Sequence, residues 1–301
     1  MSVFQAIILG VLQGIAEFLP ISSSGHLAVA QKLFGLNDVP LLFDVMLHLA
    51  TLAAVILYFR KKIARLFVIL FRWIFKNQKG NAFPSLQTQA FSATPSNGGS
   101  APVTPPETDL LTGTDELGRK TILAVIFATV ITGAMGIVTS KLIPEMPIKV
   151  TCAGFLFTAC LLIFSSFWAK KHDRPLEAKG ISIRQSLFIG FMQGIGTLPG
   201  ISRSGSTIAG AQFAGVNRAA AGEFSFIVSI PAILGAFVLE AKDLGEVGSQ
   251  IGALPVFCGC IASFAWGYLS LSILMKLIRK GKLEWFACYL IPLGILGLIF
   301  F

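Results

Sequence analysis

Long apolar windows separated by short polar breaks run along most of the chain. Residues 121–140, 150–169, 247–275 and 285–301 are free or nearly free of charge. A helix crossing a bilayer needs about 20 predominantly apolar residues, with roughly 17 as the lower limit. Each window therefore predicts a transmembrane helix. Residues 219–239 join them if Glu223 is tolerated, and 41–59 fits with Asp44 and His48 inside it. Six full spans are expected. Two further apolar segments, 4–34 and 186–215, differ in having a polar, Gly/Pro-rich centre.

Residues 77–118 break the pattern. Of these 42 positions, 26 are Ser, Thr, Pro, Gly, Asn or Gln, and five of the chain's 14 prolines fall here. Such a stretch buries too little apolar surface to offset its ordering entropy, so it reads as a flexible insertion.

Composition narrows the class. The 301 residues are 54% apolar and only 13% charged, against about 25% charged in soluble domains. That excludes an ordinary soluble enzyme, a disordered chain and a nucleic-acid binder using a basic face. The five cysteines are odd in number and lack metal-type spacing, so no disulfide framework is expected. Residues 1–10 lack the basic start of a signal peptide.

The net charge of +9 comes from three basic stretches: Arg60 to Lys79, Lys170 to Arg184 and Lys276 to Lys282. By the positive-inside rule these loops face the cytoplasm. Spans 41–59, 150–169 and 251–275 then run inward, and 121–142, 219–239 and 285–301 run outward. Segment 4–34 must begin and end outside, and 186–215 inside. Both are expected to be re-entrant, entering from opposite faces, because irregular backbone at membrane depth needs protein or a wet cavity around it.

The two re-entrant segments resemble each other at an offset of 180 residues. Gly10, Gln13, Gly14, Ile15, Ile21, Ser22, Ser24 and Gly25 recur as Gly190, Gln193, Gly194, Ile195, Ile201, Ser202, Ser204 and Gly205. Phe43 and His48 align more weakly with Phe224 and Ser229. The expected architecture is an all-α polytopic membrane protein with an inverted-topology repeat, about six full spans and two re-entrant helical segments. Residues 1–170 form the first repeat, with the 77–118 cytoplasmic insertion, and 180–301 the second, within one membrane domain. Such folds place their site where broken helices meet near the bilayer midplane.

The polar centres carry the chemistry. The first holds Gln13, Glu17, Pro20, Ser22, Ser23, Ser24, Gly25 and His26; the second holds Gln193, Pro199, Gly200, Ser202, Arg203, Ser204, Gly205, Ser206 and Thr207. Pro and Gly break the first helix of each pair. Serines and free amides then start the next helix, a position that favours anions. Arg203 adds a planar, permanently charged fork suited to phosphate; its plainer reading is an ion-pair partner of Glu17. Gln13 and Glu17 share a helix face. A carboxylate, a histidine, serines and an arginine suffice to hydrolyse a phosphoanhydride. From the residues alone, a transporter or flippase of lipid phosphate or another anion is nearly as plausible. His48 reads as structural or supporting.

Gln13-xxx-Glu17 with Pro20-Ile-Ser-Ser-Ser-Gly-His26, followed by Pro199-Gly-Ile-Ser-Arg-Ser-Gly-Ser-Thr207, resembles the undecaprenyl-diphosphatase family of bacitracin-resistance proteins. The resemblance covers almost all of the chain outside 77–118. It implies hydrolysis of undecaprenyl diphosphate to undecaprenyl phosphate and inorganic phosphate, recycling the carrier lipid for peptidoglycan. It implies a bacterial inner-membrane enzyme with its site open toward the outer face, an isoprenoid diphosphate lipid as substrate, and Mg²⁺ or Ca²⁺ as cofactor. A homodimer is left open, and no nucleic acid is expected. Matched to the motifs, Glu17, Ser23, His26 and Arg203 are the expected catalytic set. Ser22, Ser24, Gly25, Gly200, Ser202, Ser204, Gly205 and Thr207 are the expected substrate contacts, and Glu17 with Gln13 would hold the metal. Either Ser23 or a water attacks, with His26 as proton-transfer partner.

Overall fold

The computed structural model describes residues 1–36, 39, 41–75, 109, 111–142, 147–172, 180–240 and 251–301. All regular structure among them is helical: α1 (Val3–Phe18), α2 (Ser23–Leu33), α3 (Leu41–Tyr58), α4 (Arg60–Ile74), α5 (Asp115–Leu142), α6 (Ile148–His172), α7 (Ile183–Ile195), α8 (Arg203–Phe213), α9 (Arg218–Glu240), α10 (Ala253–Arg279) and α11 (Trp285–Phe300). Helices α5, α6, α9 and α10 are long and apolar enough to cross a bilayer by themselves. The other two expected spans are shorter. Helix α3 has 18 residues and meets α4 at an 81° bend, and α11 has 16.

Both apolar segments with polar centres fold as broken helix pairs, α1–α2 and α7–α8. Their starts are built alike. Ser2 and Ser182 cap α1 and α7, each in a reciprocal capping box with Gln5 or Gln185. Ser22 and Ser202 cap α2 and α8 by accepting from the amides of Gly25 and Gly205. All four correspondences keep the offset of 180.

The halves interleave. Helix α1 packs most extensively on α10, and its counterpart α7 packs on α5. Both contacts are backbone-close and need glycine. A Cβ on Gly10 would lie 2.2 Å from Gly259 O, and one on Gly190 would lie 2.5 Å from Ala128 O. One turn on, Gly14 faces Ser263 and Gly267, and Gly194 faces Met135. These contacts advance in step, so α1 runs parallel to α10 and α7 parallel to α5. Helices α6 and α11 run antiparallel: Lys170 meets Glu284 at one end and Cys152 meets Gly297 at the other. These relative directions are those expected from the charge pattern. The basic stretches also gather at one end, where Lys62 and Arg279 meet Glu223 and Lys170 meets Glu284.

Two expectations need correction. Residues 60–75 are not loop but helix α4, whose inner side packs on α5: Arg65 donates to Gly113 O at 2.9 Å and Ile69 abuts Gly118. The expected insertion also ends too late. Leu111 and Thr112 are fully buried, Asp109 caps their amides, and α5 begins at Asp115. The apolar Leu111 anchors a core cluster with Phe224 and Val228, outweighing the polar composition around it. Residues 77–108 and 110 of the expected insertion lie outside the described residues, as do 143–146 and 241–250, which follow the expected outward spans 121–142 and 219–239.

Candidate functional site

The tips of the two broken pairs meet, and Glu17 is where they join. It lies in the last turn of α1, almost fully buried at 6% exposure. A carboxylate at that depth must be paired. Arg203, the first residue of α8, donates to its Oε1. Its Oε2 accepts from Gln13 Nε2 at 3.0 Å and from the Ser23 hydroxyl at 2.5 Å, and faces His48 Nε2 at 3.3 Å. Glu17 therefore ties together α1, α2, α3 and α8.

Each contact follows from local structure. Gln13 precedes Glu17 by one turn on the same face. Ser23 is the first residue of α2, and Ser22 before it has φ 69°, the one described non-glycine residue in the left-handed region. That kink lets α2 start directly beneath the end of α1. The matching turn in the second half uses Gly200 (φ 83°), where a Cβ would fall 2.0 Å from Thr151 O. No residue with a side chain fits there.

His48 sits in α3 with Nδ1 at 2.7 Å from Asp44 O and Nε2 toward Glu17. Both nitrogens therefore face acceptors. His48 thus bonds the buried carboxylate from α3, a supporting position of the kind the sequence suggested. It lies ten residues before Tyr58, or about 15 Å along the helix from the basic end at 1.5 Å per residue. That is roughly half of a 30 Å hydrocarbon core.

His26 is placed differently from expectation. Its Nδ1 donates to Ser22 O at 2.8 Å, and its Nε2 lies 2.8 Å from the Tyr289 hydroxyl of α11. The ring stacks on Tyr289 and tilts against Phe155. In this arrangement it pairs with Tyr289 and not with Ser23. Tyr289 carried no sequence signal, since it stands in an apolar span.

The remaining expected residues divide. Ser204 donates to Phe18 O at 3.0 Å and so bolts the two tips together. Ser202 caps α8, and its own amide donates to Thr158 Oγ1 at 3.0 Å. Thr207 donates to Arg203 O at 2.6 Å and also lies 3.4 Å from Gln193 Oε1. Gly25 lets Phe155 close on α2, where a Cβ would lie 2.6 Å from its ring, and Gly205 approaches Pro20. Ser24 is exposed and lies outside this network among the described contacts.

A small cavity opens beside the ion pair. Glu17, Gln193, Arg203, Ser204, Thr207, Ser225, Phe226 and Ser229 line it. Ser225 and Ser229 on α9 were not singled out as site residues; Ser229 is the position that aligns weakly with His48. Among the described residues no group of three or more His, Cys, Asp or Glu is arranged to hold a metal. One carboxylate is present, its oxygens engaged by Arg203, Gln13, Ser23 and His48, and beside it Gln13 Oε1 is buried without a hydrogen-bond partner. A Mg²⁺-type ion here would have to displace one of these donors and take most of its oxygens from a phosphate substrate and water.

The sequence profile of the family described as bacitracin resistance protein BacA matches residues 6–296. The chain belongs to this family. Its relatives include the undecaprenyl-diphosphatase of Treponema denticola, 44% identical over 295 residues, covering 98% of this chain and 96% of the relative. The undecaprenyl-diphosphatases of Carboxydothermus hydrogenoformans and Methanobrevibacter smithii are each 34% identical, covering 99% and 98% of this chain and 97% and 96% of their own lengths. Membership spans both broken pairs, so the whole Glu17 network falls within the matched region.

Proposed function

We propose that the chain hydrolyses undecaprenyl diphosphate to undecaprenyl phosphate and inorganic phosphate. The observation that carries the mechanism is the hydrogen bond from Ser23 to a carboxylate that Arg203 holds from the opposite half. Ser23 Oγ attacks the terminal phosphorus as Glu17 takes its proton. The bond from that phosphorus to the bridging oxygen breaks, and undecaprenyl phosphate leaves. Water then attacks the phosphorus, the Ser23 Oγ–P bond breaks, Glu17 returns its proton to Oγ, and inorganic phosphate leaves carrying the water's oxygen and protons. Arg203 shifts from Glu17 to the terminal phosphate, where a fixed cation stabilises the transition-state charge. His48 and Gln13 keep Glu17 in line, and catalysis is mostly positioning plus electrostatics. The Tyr289–His26 pair stands at the neighbouring turn as a proton relay for the leaving group.

Glu17 and Gln13 Oε1 would hold a divalent cation, Mg²⁺ or Ca²⁺, together with substrate oxygens. When bound, the ion would neutralise phosphate charge. Replacing Gln13 with Glu adds a carboxylate, and should lower the Mg²⁺ concentration needed for half-maximal binding, read by isothermal titration without substrate.

The basic end faces the cytoplasm of a bacterial plasma membrane in this reading, with the lipid entering from the outer leaflet. The diphosphate head reaches the mid-depth site while its isoprenoid tail stays among acyl chains.

The test is phosphate release from a polyprenyl diphosphate by purified protein, beside Arg203→Ala and Ser23→Ala, with and without EDTA. Turnover that survives both substitutions would refute the assignment. A transport reading is favoured by the interleaved halves, an architecture suited to alternating access. It predicts flux into vesicles with no phosphate released.

A further inference from the structure

A second cavity lies away from the Glu17 network, at the elbow between α3 and α4. Leu57, Tyr58, Phe59, Arg60, Lys61 and Lys62 line it from one side, and Glu223, Tyr268, Met275 and Arg279 from the other. Its cavity volume is about 400 Å³, within the roughly 300–1,000 Å³ of small-ligand pockets. The floor is apolar and aromatic, with the Tyr58 and Tyr268 rings 5.9 Å apart. The rim is basic. Four cations face one carboxylate, and that carboxylate, Glu223, is engaged by Lys62 and Arg279. Lys62 also reaches Asp109 at 3.3 Å. Arg60 and Lys61 are exposed.

Helix α4 says what meets this rim. It leaves α3 at 81°, so with α3 crossing the bilayer it runs along the membrane surface. Its inner side is fixed by Ile69, by Arg65 on Gly113 O and by Arg72 on Asp115. Phe67, Phe71, Ile74 and Phe75 are therefore held outward, each more than 60% exposed. A helix with such a stripe lies in the interface with its apolar face among acyl chains. The basic cleft at its root then opens at head-group level.

We propose that the α3–α4 elbow binds the phosphate head group of an anionic phospholipid from the leaflet along which α4 lies. Arg60, Lys61, Lys62 and Arg279 take the phosphate, and the Tyr58–Tyr268 floor takes the glycerol and first acyl carbons. Basic pockets between transmembrane helices recognise head groups in this way.

The experiment uses the full chain in nanodiscs of phosphatidylcholine with a minor share of phosphatidylglycerol. Native mass spectrometry of the ejected protein reads the lipids retained. The wild type should retain phosphatidylglycerol preferentially. Arg60→Gln with Lys61→Gln should reduce that preference by roughly fivefold per residue. Its phosphate release in pure phosphatidylcholine should match the wild type, because neither residue touches the Glu17 network. A photoactivatable phosphatidylglycerol should crosslink wild-type peptides from 57–62 and 268–279, a readout independent of how the variant folds. Equal retention by a folded variant, or crosslinks elsewhere, would overturn the proposal. Displacement of the lipid by millimolar inorganic phosphate would mark a free-phosphate site instead. Displacement by polyprenyl monophosphate, but not by phosphatidylglycerol, would mark a product site. Either result also overturns it.

Discussion

Arg203 and Glu17 stand 186 residues apart in the chain and share a hydrogen-bonded ion pair at the junction of the two broken helix pairs. The repeat explains why they meet. At the offset of 180, Arg203 corresponds to Ser23, and Glu17 to Thr197. The turns keep one skeleton, with Ser22 and Ser202 as caps, but divide the chemistry. Carboxylate and hydroxyl come from one half and the guanidinium from the other.

Removing one partner of this pair should hurt twice. Arg203→Ala leaves Glu17 buried without its main counter-charge, at a cost approaching the roughly 3–5 kcal/mol of a broken buried pair, reduced by the partial exposure of Arg203. It should also lower kcat by about 10²–10³, as expected for loss of a transition-state charge partner. Glu17→Gln combined with Arg203→Gln should regain much of the thermal stability and none of the activity. Stability that stays as low as in the single variant would show that the pair is not what couples the halves.

His48 gives a sharper test of positioning. It supports Glu17 without lining the cavity. His48→Asn should lower kcat by roughly 10–100-fold, the usual loss for a residue that orients a reacting group, and leave KM nearly unchanged. Ser24→Ala is the matched control and should stay near wild type, because Ser24 points out of the network. A KM effect as large as the kcat effect would make His48 a substrate contact.

Much of this was legible in the sequence, for physical reasons that also mark where legibility stops. Glycine, proline and serine at matching positions are backbone requirements, so the paired turns and their caps could be read directly. Buried charge is costly, so Glu17 and Arg203 stood out, and their pairing was one of the readings open. Partner choice was harder. His48 and Tyr289 lie in ordinary apolar spans, and only the packing of α3 and α11 brings them to Glu17 and His26. Helix α4 was hidden because its basic residues, read along the chain, resemble a cytoplasmic loop. Its apolar positions form a stripe only once wound at helical period.

Glu284 offers a pH test outside the spans. Burial pushes its carboxyl up, but hydrogen bonds from Lys170 and Ser166 outweigh this and hold it below the usual 4.5. A depressed folded-state value means that the α6–α11 tie is fully present above the unfolded value. It is lost as pH falls from about 4.5 through the lower folded value. Glu284→Gln should therefore flatten the dependence of the unfolding midpoint on pH below about 5 and leave a small loss above it. An unchanged acid limb would show that other carboxylates dominate it.

The close glycine contacts predict where the interleaved halves are least tolerant. A Cβ at Gly10 would meet Gly259 O at 2.2 Å, and one at Gly190 would meet Ala128 O at 2.5 Å. Both obstacles are backbone, so no side-chain rotation relieves them, and the helices must separate. Gly10→Ala and Gly190→Ala should each destabilise by about 1–3 kcal/mol, the usual cost of overpacking. Gly133 lies in α5, and a methyl group added there would have nothing within 4 Å. Gly133→Ala should be neutral or stabilising by up to about 1 kcal/mol, since alanine favours the helix. Unfolding midpoints in detergent rank the three. If Gly10→Ala and Gly190→Ala proved as stable as Gly133→Ala, the α1–α10 and α7–α5 contacts would not be what locks the halves together. The loss should also reach activity, because α1 carries Glu17 and α7 leads into the turn before Arg203.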